Sequence, residues 1–213
     1  MIKYGALFDL DGVLIDSETR YTEFWREIDR IYPTGIENYA IAIKGTTLPE
    51  IMKHYSDEAA KADILRRIHD FQETMTYSLY DGVVDFLCEL RSRGIPAAIN
   101  TSSDARKMEL LFSQLAGFRD YFDAVIDASM IQRSKPDPQG YLIAAEALGC
   151  DPANCFVFED SLQGLKAGRA SGATVIGIAT TYPAERLEGM ADEIYGAVAE
   201  IDISHLLELK QCR

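Results

Sequence analysis

Short apolar runs alternating with helix-patterned stretches of about 10–15 residues set the tightest limit on how this chain folds. Tyr4–Phe8, Ile95–Ile99, Asp123–Asp127, Cys155–Phe158 and Thr174–Ile178 are each too short and too apolar for a surface helix, and read as buried strands. Between them lie segments with helical periodicity. Val83–Arg93 is preceded by Asp81, a candidate cap, and followed by Gly94, which suits the residue just past a helix end. Ser103–Leu115 places Met108, Leu111, Phe112 and Leu115 on one face. Asp137-Pro138 opens a helix that stops at Gly149, with Pro at the first helical position, and Leu162–Ser171 is closed by Gly172. Strand, helix, strand in this order predicts βαβ units: an α/β, Rossmann-like parallel sheet with helices on both faces.

One stretch departs from that rhythm. Between the first and second strands Tyr21, Phe24, Trp25, Ile28, Ile31 and Tyr32 recur at helical spacing, as do Ile64, Ile68, Phe71 and Met75. Thr47-Leu48-Pro49-Glu50 has the form of a capping box. Helices alone do not fit a βα alternation. Residues 17–79 are therefore expected to form a helical subdomain inserted after the first strand, leaving 1–16 and 80–213 as the sheet-bearing core.

At 213 residues the chain has room for one such domain plus an insertion, and its 47% hydrophobic content is that of a globular protein. Disorder, a collagen-like fibre and a disulfide-stapled miniprotein are excluded. Lys and Arg number 21 against 34 Asp and Glu, a formal charge of −13, which argues against nucleic acid or an anionic membrane as partner. Cys88, Cys150, Cys155 and Cys212 form no Cys-x-x-Cys pair and read as reduced thiols. Asp9 and Asp11 interrupt the first apolar run where a signal peptide needs its hydrophobic region, and Ala170–Ala184 falls short of a membrane span. The expectation is a soluble, cytoplasmic protein.

In open α/β sheets ligands bind beyond the carboxyl ends of the strands, so those ends are where chemistry is sought. The first strand is followed by Asp9 and Asp11, the second by Thr101, Ser102 and Ser103, the third by a loop carrying Lys135, and the fourth by Glu159 and Asp160. Acids, hydroxyls, a lysine and acids again on one rim suit phosphoryl transfer. A phosphate monoester is a dianion and carboxylates alone repel it; a hard cation such as Mg²⁺ bridges the two. Asp9, Asp160, Glu159 and Asp11, with a loop carbonyl, are the expected ligands. Asp9 is the expected nucleophile, and Asp11 the acid that protonates the leaving alcohol and later the base that deprotonates water. Thr101, Ser102 and Lys135 would hold the phosphoryl oxygens. Gly12 suits a tight turn beside the substrate.

These residues resemble the motifs of the haloacid dehalogenase superfamily. Phe8-Asp9-Leu10-Asp11-Gly12-Val13 with Asp16-Ser17 matches the first motif, Thr101 the second, Lys135 in Ser-Lys-Pro-Asp-Pro the third, and Glu159-Asp160-Ser161 with Gly164 the fourth. The order and the strand ends agree from Asp9 to Ala167. The position of the insertion is similar to that of the β-phosphoglucomutase-like branch. The resemblance implies Mg²⁺ dependence and a helical cap closing over a small phosphorylated metabolite. It also implies that Lys44-Gly45-Thr46 corresponds to a cap loop reaching toward the substrate.

Competing readings fit less well. A calcium loop of the EF-hand type needs its Gly sixth and a helix before it, whereas Gly12 is fourth in the pattern and follows a strand. His54, His69 and His205 are scattered, so no Ser-His-Asp triad is signalled. Dehalogenases of the superfamily lack the second aspartate, which Asp11 supplies here. The sugar-phosphate mutases that this chain resembles carry a His where Tyr21 stands and an Arg near Leu48. A non-catalytic scaffold on this fold would be expected to lose an acidic motif residue, and none is missing. The expected activity is hydrolysis of a small phosphomonoester, a sugar phosphate among the candidates.

Overall fold

A computed structural model describes residues 3–211; Cys212 lies outside them. β1 (Gly5–Phe8) is followed by four helices, α1 (Glu18–Ile31), α2 (Tyr39–Ala42), α3 (Leu48–Met52) and α4 (Glu58–Thr74). Then come α5 (Val83–Ser92), β2 (Ala97–Asn100), α6 (Ala105–Gln114), β3 (Ala124–Ile126), α7 (Gln139–Leu148), β4 (Cys155–Glu159), α8 (Leu162–Ser171) and β5 (Thr174–Ile178). The described chain ends with α9 (Ala184–Leu187), β6 (Glu193–Tyr195) and α10 (Ile203–Gln211). All strand pairs are parallel, in the order β3-β2-β1-β4-β5-β6. The chain leaves β1 toward β2 on one side and returns to β4 on the other, so the sheet reverses direction at β1, where such sheets open a crevice.

Strand alternation divides the core into two layers. Phe8 lies beside Ile99 and Phe158 in register; its ring stacks on Phe158 at 4.4 Å between centroids, with Phe86 from α5 edge-on to both. Leu7 and Val157 point to the opposite face, where Tyr141, Ala144 and Ala145 of α7 cover them. Both layers are buried, which explains why the strands read as continuous apolar runs rather than alternating ones.

The helices between β1 and α5 carry a separate cluster in which Trp25, Ile28, Tyr39, Ile51, Ile64 and Ile68 are buried together. The two connections to this region run side by side: Asp16 N–H donates to the Ser78 carbonyl at 3.0 Å and Tyr80 N–H to the Leu14 carbonyl at 3.1 Å. No described helix is long and apolar enough to cross a membrane.

Several local expectations are corrected. Gly82, not Asp81, precedes α5, in a left-handed conformation with φ of 76°, because a side chain there would run into Ala199. Pro138 sits one residue before α7, and Asp137 accepts from the Gln139 amide at 2.9 Å. α6 starts after Asp104, whose carboxylate accepts from the Lys107 amide at 2.8 Å, and not at Ser103. The capping box at Thr47 does not form. The Thr47 amide donates to Ser134 Oγ at 3.0 Å, and Glu50 pairs with Lys53 instead. A tertiary partner displaced the local one. The four-residue α9 and three-residue β6 carry too little periodicity to be read from the sequence, and the structure adds the nine-residue α10 after them.

Two predictions follow from the packing. Phe86→Ala removes a ring packed edge-on against both Phe8 and Phe158 and should cost about 3–5 kcal/mol, read as a lower urea midpoint with an unchanged m-value. His205 on α10 pairs with Glu193 of β6 at 2.7 Å, and that hydrogen bond holds its pKa above the ordinary value. A raised pKa stabilises the fold below about pH 6.5 and the contribution fades as pH rises through the folded value. Urea titrations across pH 5–9 (roughly that window) should therefore show a smaller pH slope for His205→Gln than for the wild type.

Candidate active site

The site is assembled at the carboxyl ends of β1, β2 and β4 with the loop after β3. The Asp9 amide extends the ladder by donating to the Phe158 carbonyl at 3.0 Å, which fixes the backbone that carries the Asp9 carboxylate onto the rim. Lys135, buried, donates to Asp9 Oδ1 at 2.5 Å and to Glu159 Oε1 at 2.5 Å. Glu159 has no exposure, and both its oxygens are taken. Oε1 also accepts from Tyr141 Oη at 2.7 Å; Oε2 accepts from the Ser161 amide at 3.2 Å and its hydroxyl at 3.1 Å. Ser161 in turn caps α8 by accepting from the Gly164 amide at 3.0 Å. A Cβ at Gly164 would overlap the Glu159 carboxylate, so this position is held to glycine by close approach.

Asp9, Glu159 and Asp160 bring carboxylate oxygens within 4.8 Å of one another, all buried. Burial raises the Asp9 pKa to about 8, with Lys135 opposing and Glu159 and Asp11 adding to the rise. Burial also raises Asp160 well above the ordinary range, reinforced by Glu18, Asp9 and Glu159. Three buried carboxylates sharing one ammonium carry uncompensated negative charge, and an all-oxygen donor set of this kind fits a hard divalent cation. Gly12, with φ of 80°, packs against Asp160, where a Cβ would overlap the carboxylate.

Asp11 stands apart from that trio. Lys107 Nζ donates to its two oxygens at 2.5 and 2.6 Å, Ser103 Oγ donates to Oδ2 at 3.0 Å, and the Ser17 hydroxyl donates to Oδ1. Burial would raise the Asp11 pKa, but Lys107 and the two serines outweigh it and hold the carboxyl below its ordinary value. Asp11, also expected among the cation's ligands, thus has both carboxylate oxygens bonded by protein donors.

The remaining expected residues fall around the same cavity or against its walls. Thr101, buried, accepts from the Ser103 amide at 3.0 Å, and the Ser102 hydroxyl donates to the Gly45 carbonyl at 2.8 Å. Lys44 pairs with Glu18, Gly45 packs on Ser161, and the Thr46 hydroxyl donates to the Ile43 carbonyl at 2.5 Å. A cavity of about 110 Å³ has Asp9, Asp11 and Asp160 on one side and Tyr21, Trp25 and Lys44 on the other. Lys107, Tyr141 and Glu18 were missed by sequence reasoning. Lys107 and Tyr141 lie inside helices where nothing in spacing separates them from ordinary helix residues. Glu18 directly follows Asp16-Ser17 of the first motif, and that adjacency was its available signal.

Comparison with known proteins agrees with this architecture. A family description for haloacid dehalogenase-like hydrolases matches residues 5–172. The chain is 32% identical to a fructose-1-phosphate phosphatase of Escherichia coli, over 82% of this chain and 95% of that one. It is 30% identical to a validoxylamine A 7'-phosphate phosphatase of Streptomyces hygroscopicus subsp. limoneus, over 94% and 97%. Among solved structures, a β-phosphoglucomutase from Clostridium difficile superposes with a TM-score of 0.83 at 22% identity, covering 99% of this chain and 98% of that one, and shares the fold. The chain belongs to the haloacid dehalogenase-like hydrolase family.

Proposed function

We propose that the protein is a Mg²⁺-dependent phosphatase of a small phosphomonoester, a sugar phosphate among the candidates, working through a phosphorylated Asp9. The observation that carries this reading is the buried grouping of Asp9 with Glu159, Asp160 and Lys135, with Asp11 two residues away on the same cavity. Residues 1–16 and 80–213 act as the catalytic core, and 17–79 as a cap that supplies Lys44, Gly45 and Thr46 to the leaving-group side. Relatives named as phosphatases of fructose 1-phosphate and validoxylamine A 7'-phosphate support the reaction class and the kind of substrate.

The geometry supports the following roles. Asp9 attacks phosphorus, the bond from phosphorus to the leaving oxygen breaks, and Asp11 in its protonated form gives that oxygen its proton. Water then attacks the aspartyl-phosphate, Asp11 takes the water proton, and inorganic phosphate leaves with Asp9 restored. The grip of Lys107 on Asp11 favours the ionised form, the one required in this second step. Lys135 and Thr101 with the Ser102 backbone hold the oxygens on which charge gathers. Asp9 and Asp160 would hold the cation with Glu159 beside them, and Glu159, bonded by Lys135, Tyr141 and Ser161, also orients Lys135. Bound Mg²⁺ would neutralise the carboxylates and screen the incoming dianion. Lys44 and Lys107, which line the cavity, are each paired with a carboxylate, which supports a monophosphate substrate over the bisphosphate that a mutase must grip.

Asp9→Asn should remove phosphate release from a panel of phosphorylated metabolites, and Asp11→Asn should lower kcat/KM by about 10²–10⁴-fold on alcohol phosphates. Turnover that survives Asp9→Asn would sink the nucleophile assignment. Addition of Mg²⁺ at 100 times its Kd should stabilise the wild type by about 2.7 kcal/mol in urea titrations, and Asp160→Asn should lose that response. An equal response in both proteins would place the cation elsewhere.

A further inference from the structure

The segment 41–47, which contributes Ile43, Lys44, Gly45 and Thr46 to the cavity wall, is tied to the sheet-bearing part of the molecule at three points. Each tie comes from a different strand-end loop. Ser102, after β2, donates its hydroxyl to the Gly45 carbonyl at 2.8 Å. Ser134, after β3, accepts from the Thr47 amide at 3.0 Å. Tyr182, after β5, donates to the Ile41 carbonyl at 3.2 Å. The loop after β4 adds a steric contact, since Gly45, with φ of 80°, lies so close to Ser161 that a Cβ would collide with its hydroxyl.

All three hydrogen bonds end on the backbone of the segment. Backbone anchoring leaves the side chains out of these three bonds: Lys44 pairs with Glu18 and, with Ile43 and Thr46, lines the cavity. It also gives the Thr47 amide and the Gly45 carbonyl polar partners, and adds a second kind of donor to the Ile41 carbonyl, which the Lys44 amide already reaches at 3.3 Å. We propose that Ser134 and Tyr182, together with Ser102, form a three-point catch that holds residues 41–47 closed over the cavity. Ser134 and Tyr182 are thereby positioning residues for the leaving-group side of the site. Neither hydroxyl touches Asp9, Asp11 or Asp160 among the hydrogen bonds that define the site. They act through the loop. The kinetic part of this inference rests on the phosphatase reading, and the structural part does not.

The test uses the full chain with Ser134→Ala, Tyr182→Phe and the double variant. Tyr182→Phe removes one oxygen and leaves the ring in place. Hydrogen exchange should accelerate at the Thr47 amide in Ser134→Ala and across 41–47 in the double variant, by roughly 5-fold per hydroxyl lost. Ser134→Thr, which keeps the hydroxyl, should restore the wild-type exchange rate. With sorbitol 6-phosphate as probe, kcat/KM should fall by roughly 10-fold in the double variant, mostly through KM. Acetyl phosphate, whose small leaving group does not reach the segment, should change by less than about 2-fold. Unchanged exchange at 41–47 in the double variant would overturn the catch. Equal losses on both substrates would overturn the positioning role and indicate general damage. If the wild type releases phosphate from neither probe, the phosphatase reading fails, and the exchange measurement still decides whether the catch exists.

Discussion

Lys135 donates to two carboxylates that arrive from different strands, Asp9 at the end of β1 and Glu159 at the end of β4. Three charges in a dry site are costly, and removing one partner of such a group typically costs about 3–5 kcal/mol by leaving the rest uncompensated. The ammonium makes it possible to bury Asp9 and Glu159 side by side. Tyr141 and Ser161 then complete the hydrogen bonding of Glu159, which fixes where Lys135 points. Gly164 lets α8 approach that carboxylate, and Gly140 lets α7 approach Asn100 in the same way. Much of the central packing serves to keep this one cluster satisfied.

The cluster remains short of positive charge. Asp160 adds a carboxylate beside Asp9 without adding a cation, and both are pushed toward protonation by burial and by their neighbours. Asp11 is handled differently: Lys107 and two serine hydroxyls compensate it fully. Two aspartates two residues apart thus sit in opposite electrostatic settings. One lies in a buried acidic group short of positive charge and the other is held by protein donors, a division of environment that lets similar groups take different roles.

The insertion between β1 and α5 contributes the opposite wall. Its own apolar cluster holds α1 to α4 together, and the docking to the rest of the chain near the rim runs through hydroxyls and backbone. Exposing such polar docking to water costs far less than exposing an apolar face. The Thr47 capping box was given up to this docking, because its amide found Ser134 instead of Glu50.

Sequence by itself determined the first five strands, the helices between them, the helical nature of the insertion, and the placement of Asp9, Asp11, Thr101, Glu159 and Asp160 at strand ends and of Lys135 in the loop after β3. Those features are encoded locally: apolar runs, Gly and Pro stops, and acids immediately after a strand report on their own neighbourhood. Tertiary structure alone decided the partners. Lys107 on Asp11, Tyr141 on Glu159, and Ser102 on the Gly45 backbone join residues separated by 96, 18 and 57 positions. It also decided that Glu159 would be saturated by protein donors and that Gly82 would displace Asp81 before α5. Contacts of this kind depend on which elements pack together and how closely. A spacing pattern within one segment records which face a residue occupies, and the group that meets it there belongs to another part of the chain.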